Sequence, residues 1–158
     1  MTVYYSTNGR VPEVDLARAL LQGQAGDRGL YLPRPIPTMS RDLLTRARDL
    51  PYAELAAAVL APYAEGVFDA DELGAICADA YDYAVPIEEI EPRRHVMRLD
   101  QGPTASFKDF AARFMGRALG RLVRARGQDL LILTATSGDT GSAVAHAFLG
   151  VAGMRSGA

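Results

Sequence analysis

Apolar positions change their rhythm near residue 92. Before it, helical spacing dominates and only two short runs read as extended. VYYS (3–6) and GLYLP (29–33) are brief and bounded by turn residues, which predicts strands. VDLARALLQ (14–22) predicts a short helix closed by Gly23. SRDLLTRAR (40–48) opens on a Ser in the N-cap position. YAELAAAVLAPYA (52–64) sets Leu55, Val59 and Leu60 on one side. FDADELGAICADAYDY (68–83) carries Asp69 and Glu72 at capping-box spacing, then Leu73, Ile76 and Ala80 as an apolar stripe. PIEEIEPRR (86–94) is acidic, then basic, with two prolines, and reads as a subdomain boundary.

Beyond it, extended and helical stretches alternate. HVMRLD (95–100) predicts a strand, QGPTA a loop, and 106–126 a long helix. DLLILTAT (129–136) is a short apolar run that suits a buried parallel strand. It breaks at SGDTG (137–141) and re-enters a helix, SAVAHAFLG, while the tail GVAGMRSGA shows no clear strand pattern. Strand, helix, strand, helix is an α/β signature. The expected organisation is a mostly helical subdomain, 1–92, followed by an incomplete α/β domain, 93–158.

Composition narrows the function. With 49% apolar and 23% charged residues the chain reads as soluble and globular. A net charge of -2 makes no electrostatic case for nucleic acid or an anionic membrane surface. No run approaches the roughly 18 apolar residues of a membrane span, and the first thirty residues lack the apolar core of a secretory signal. Cys77 is the single cysteine, so no internal disulfide forms; core packing and a cytoplasmic location are expected. His95 and His146 lie far apart and Cys77 has no paired neighbour, so no metal site is expected.

Of the 17 Lys and Arg residues, only Lys108 is a lysine. A lysine amine can lose its proton and attack a carbonyl, which a guanidinium cannot do. Ser106 and Asp109 form an S-x-x-D capping pattern around it, placing Lys108 in the first helical turn. A cation there faces the positive end of the helix dipole, which is unfavourable by roughly 0.3–1 kcal/mol. At about 100° per residue, Arg113, Arg117, Arg121 and Arg124 form one stripe, expected to face solvent. Lys108 falls nearly opposite, in line with Ala112, Met115, Leu119 and Leu122, and so heads the apolar face. The bland alternative is a lysine that snorkels to water from the first turn.

The second constellation is LLILTATSGDTGSAV, an apolar strand ending in a turn with Gly138 and Gly141 and the hydroxyls of Ser137, Thr140 and Ser142. Glycines admit close backbone approach, and the first helical N–H groups face an anion. Ligands of open α/β sheets bind at such carboxyl ends of strands. The turn matches neither a Walker P-loop nor G-x-G-x-x-G. Its alternative reading is a strand-to-helix connection without a ligand. Asp139 beside an anion site is repulsive unless it contacts a cofactor hydroxyl or a protonated imine.

Together these stretches resemble threonine synthase. GPTASFKDFAARFM is similar to that family's lysine segment, and TATSGDTGSAVAHAF to its glycine-turn segment. YYSTNG, ALLQGQAGDRGLYLP and LPYAELAAAVLAPYA resemble its leading subdomain. QGP at 101–103 departs from the aromatic-His-Gly-Pro form of one branch. The resemblance implies fold type II of the pyridoxal-phosphate (PLP) enzymes: two α/β units around a cofactor cleft, with an extra amino-terminal subdomain. It implies conversion of O-phospho-L-homoserine and water to L-threonine and phosphate, by γ-elimination and then water addition at Cβ. Lys108 is then the lysine that bonds PLP and shuttles protons. Ser137, Gly138, Thr140 and Gly141 line the substrate end, and Asp139 stands near the cofactor's ring hydroxyl.

The family's chain is far longer than 158 residues, and its later phosphate-binding loop has no counterpart here. An amino-terminal fragment without useful turnover is therefore expected, its apolar strand and long helix poorly covered. A related phospho-amino-acid lyase, or a non-catalytic remnant that binds a partner chain, are the competing readings. Oligomeric state stays open.

Overall fold

The computed structural model describes residues 2–136 and 138–157. The chain forms two compact units, divided between Cys77 and Ala78 within one helix. The expected boundary at 92/93 falls in a hairpin turn of the second unit.

In the first unit, β1 (Val3–Ser6) pairs antiparallel with β2 (Tyr31–Arg34), Tyr4 opposite Pro33 and Ser6 opposite Tyr31. Helix α1 (Leu16–Gln22) starts where the Asp15 carboxylate accepts the Arg18 N–H and stops at Gly23, whose φ of 70° a glycine adopts without strain. Ser40 caps α2 (Arg41–Arg46) by accepting the Leu43 N–H. Helix α3 (Tyr52–Ala64) follows, and β1 with the residue before it satisfies carbonyls at its end: Thr2 donates to Pro62 and Tyr4 Oη to Tyr63. Helix α4 (Ala70–Ala80) opens on the expected capping box, with Asp69 accepting the Glu72 N–H and Glu72 the Asp69 N–H. Its stripe of Leu73, Ile76 and Ala80 is buried as the periodicity predicts. Cys77 is fully buried, and desolvation pushes its thiol up to about 11, as core packing requires.

The second unit holds the hairpin β3 (Ile87–Glu91) and β4 (Arg94–Met97), the long helix α5 (Lys108–Arg126), β5 (Leu130–Leu133), α6 (Asp139–Phe148) and β6 (Met154–Gly157). PIEEIEPRR is therefore mostly a hairpin, both of whose strands are exposed. Charge, not alternation, marked that stretch. The tail is a strand after all: β6 runs parallel to β5, Leu130 opposite Met154 and Leu133 opposite Gly157. Strand β5 is parallel as expected but not buried, for Leu131 is 60% and Leu133 75% exposed. The long helix, by contrast, is well covered, with Ala118, Leu119 and Val123 in the core. An added Cβ at Gly116 would meet the Ala147 carbonyl oxygen at 2.7 Å, and one at Gly120 would meet Val151 at 2.7 Å. Glycine thus lets α5 and α6 approach closely.

Asp27 is the hub of the first unit's entry loop. Its carboxylate accepts the Ser6 hydroxyl at 2.6 Å and the backbone N–H groups of Arg10 and Gly29. The Ser6 hydrogen bond, chiefly, lowers its pKa below the ordinary carboxylate range, so the folded state holds that proton less tightly than the unfolded chain. The stabilisation is complete above about pH 4 and fades as the pH falls through the folded value. Asp27→Asn is expected to lower the melting temperature by several degrees near neutrality. The gap to wild type should narrow below about pH 4, as thermal unfolding followed by circular dichroism at stepped pH will show.

Candidate active site

The lysine and the glycine turn meet in the second unit. Lys108 is the first residue of α5 and Asp139 the first of α6. Lys108 Nζ lies 3.7 Å from Asp139 Oδ2, across thirty-one positions of sequence (139 − 108). The lysine side chain is 31% exposed and the aspartate 74%. Nζ also sits 4.2 Å from the centre of the Phe107 ring, a cation–π contact. The line that Lys108 heads is buried at Ala112 and Leu119, as expected of an apolar face, but the lysine itself is not fully buried. It is half-buried, with a carboxylate and an aromatic ring as neighbours.

The arginine stripe is corrected as well. Arg113, expected in solvent, is 4% exposed. Its Nε donates to the Ala80 carbonyl, and Nη2 donates to the Asp79 carbonyl and to Asp82, each at 2.7 Å. Arg117 donates to the Ala147 carbonyl near the end of α6 and pairs with Asp79. Helix C-termini present carbonyls without intrahelical donors, and a cation there is favourable. The two guanidiniums therefore serve the ends of α4 and α6. Only the far end of the stripe behaves as expected, for Arg124 is exposed.

The start of α5 also differs in detail. Ser106 Oγ accepts the Lys108 N–H at 3.3 Å, as a cap does, but the Asp109 carboxylate turns to Thr104 and not to Ser106.

In the turn, Ser137 lies outside the described residues. The Gly138 N–H donates to Thr136 Oγ1 at 3.3 Å, and an added Cβ there would meet nothing within 4 Å. Gly141 is buried, its N–H donates to the Gly138 carbonyl, and a Cβ would collide with Thr136. Packing alone thus requires a glycine at 141. Thr140 is exposed on the first turn of α6, whose leading N–H groups have no acceptor within the helix. At the carboxyl ends of β5 and β6, a cleft of about 100 Å³ is lined by Thr134, Gly141, Val144, Ala145, Ser156 and Gly157. Among the described residues no group of three His, Cys, Asp or Glu is placed to hold a metal ion. No described helix is long and apolar enough to cross a membrane.

An amine at one helix start faces a glycine turn at another, beside the carboxyl ends of two parallel strands. This makes the second unit an α/β unit with its lysine placed at the glycine turn. A family model described as the threonine synthase N terminus matches residues 3–81. The threonine synthase of Pseudomonas aeruginosa is 37% identical over 145 residues, covering 89% of this chain and 31% of that protein. That of Haemophilus influenzae is 39% identical over 139 residues, covering 88% and 32%. The crystal structure of a PLP-bound threonine synthase from Brucella melitensis superposes with a TM-score of 0.93 at 34% identity, over 99% of this chain and 35% of that one. The chain belongs to the threonine synthase family. It spans about a third of the length of the curated relatives it matches.

Asp109, Thr104 and Phe107 were not singled out as site residues by sequence reasoning. The signal for Asp109 was present as a capping pattern, which assigned it the wrong partner. Arg113 tests the packing account. Arg113→Met should destabilise the second unit by about 3 kcal/mol, because it leaves the α4 carbonyls without donors. Urea unfolding measures this.

Proposed function

We propose that this chain carries the lysine of a PLP-dependent lyase that converts O-phospho-L-homoserine and water to L-threonine and phosphate. The observation that carries the reading is the meeting of Lys108 Nζ with Asp139 Oδ2 at the glycine turn. A covalent-cofactor site needs one reachable amine, a polar partner for it and open space beside the turn. Lys108 is the only lysine, its side chain is partly exposed, and Gly138 has open space on its side-chain face.

The residues divide the work by position. Lys108 would hold PLP through Nζ. When bound, PLP supplies an electron sink for negative charge developed on substrate carbon. Nζ is also the atom suited to take and return protons at substrate carbon, being a base on a flexible stem. Asp139 orients that amine and balances its charge, and would contact the ring hydroxyl of bound PLP. Phe107 lies against one side of Nζ in a cation–π contact. The turn from Ser137 to Gly141 receives the substrate. The leading N–H groups of α6, at Asp139 and Thr140, suit its α-carboxylate, while Gly138 keeps the approach open and Gly141 shapes the turn.

The test uses the lone lysine. The chain is incubated with PLP, reduced with borohydride and digested, and the modified peptide is mapped by mass. Stoichiometric label on Lys108 is expected, with none at residue 108 in Lys108→Arg. Label confined to the terminal amine of the wild-type chain would overturn the reading.

A further inference from the structure

Asp109 is an unusual residue for the first turn of a helix. Acids there are favoured because they face the positive end of the dipole, but they are commonly solvated. Asp109 is 0% exposed. A carboxylate out of water is costly unless its oxygens are hydrogen-bonded. Both oxygens are engaged by one residue: Oδ2 accepts the Thr104 N–H at 2.9 Å and Oδ1 accepts the Thr104 hydroxyl at 2.8 Å.

That grip holds a loop which is otherwise unfavourable. Ala105 has φ 53°, in the left-handed region that side chains other than glycine seldom adopt. Gly102 is required by the same carboxylate, because an added Cβ would lie 2.5 Å from Asp109 Oδ2 and 2.9 Å from Asp109 Cβ. The Ala105 N–H closes a turn onto the Gly102 carbonyl at 3.0 Å. Ser106 ends the loop, its carbonyl accepting the Asp109 N–H and its hydroxyl the Lys108 N–H. Apart from that internal turn, the described ties of this loop run to the Lys108 N–H, the Asp109 N–H or the Asp109 carboxylate. Much of the apolar core contribution of α5 lies further along, at Ala118, Leu119 and Val123.

We infer that Asp109 is a positioning residue: through Thr104 it locks the 102–106 loop and so aims Lys108 at Asp139. The inference rests on the reading above only in treating Lys108 as the working amine; the lock itself is independent of any cofactor.

Two readouts on the full chain test it without PLP. Amide hydrogen exchange reports the loop. Lys108, reductively methylated with ¹³C-formaldehyde, gives one side-chain NMR signal beside that of the terminal amine. Asp109→Asn turns an amide donor toward one of the two Thr104 donors. Exchange at Thr104 and Lys108 should speed by about tenfold, the worth of a lost buried hydrogen bond. The middle of α5, Leu119 to Val123, should keep its protection, and the methyl signal should move toward that of a free lysine side chain. Thr104→Val removes the hydroxyl only and should show the same changes to a smaller degree, while Thr104→Ser keeps wild-type behaviour. Unchanged exchange and signal in both Asp109→Asn and Thr104→Val would overturn the inference, as would a uniform loss of protection along α5. If Asp109→Asn does not fold, Thr104→Val against Thr104→Ser decides by the same criteria. PLP trapping on the same proteins before methylation separates the two claims. Absent label on wild-type Lys108 with a working lock sinks the lyase reading alone; normal label with no lock sinks this one alone.

Discussion

The close approach of α5 and α6 at Gly116 is the constraint on which the site depends. Gly116 sits against the Ala147 carbonyl, where no Cβ has room. Lys108 starts α5 eight residues before that point (116 − 108), and Asp139 starts α6 eight residues before its partner (147 − 139). At 1.5 Å per residue the two arms are each about 12 Å long. Equal arms from a common contact, with both helices starting at the same end, bring the lysine and the glycine turn together. Arg117 reinforces the contact by donating to the same Ala147 carbonyl. A lone lysine and a glycine turn thirty-one positions apart (139 − 108) are thus brought together through a glycine that is in neither motif.

Arg113 and Arg117 are used where backbone needs donors. A guanidinium offers five N–H groups in a fixed fork, suited to several carbonyls at once. Arg113 meets two α4 carbonyls and Asp82 in this way, so its burial is compensated. Lysine is a poorer choice for that task and a better one for chemistry. The division of labour between the arginines and Lys108 follows from side-chain geometry, and it explains why replacing either kind by the other is not conservative.

Much of the first unit was legible because its elements are local. The caps at Ser40 and Asp69, the stop at Gly23 and the stripe on α4 are each set by neighbours within a turn or two. The second unit hid more because its partners are distant. Helical periodicity correctly grouped the arginines but assigned the group to solvent, since spacing cannot show that helix ends wait on that side. Strand β3 was masked by its charges and prolines, whereas β4 overlaps the strand read at 95–100, and β6 (MRSG) offers no apolar alternation to read. Lys108 and the turn were found through their chemistry. Their surroundings were not, because the carboxylate of Asp109 and the ring of Phe107 act through contacts that spacing does not encode.

The central claim is that Lys108 meets Asp139 in the folded chain. Zero-length carbodiimide coupling tests it directly, since it joins an amine and a carboxylate only in contact, and Lys108 is the only side-chain amine. Mass mapping of the digested product should find an amide between Lys108 and Asp139, lost in Asp139→Asn and after unfolding in urea. Coupling of Lys108 only to other carboxylates, with none to Asp139, would contradict the account.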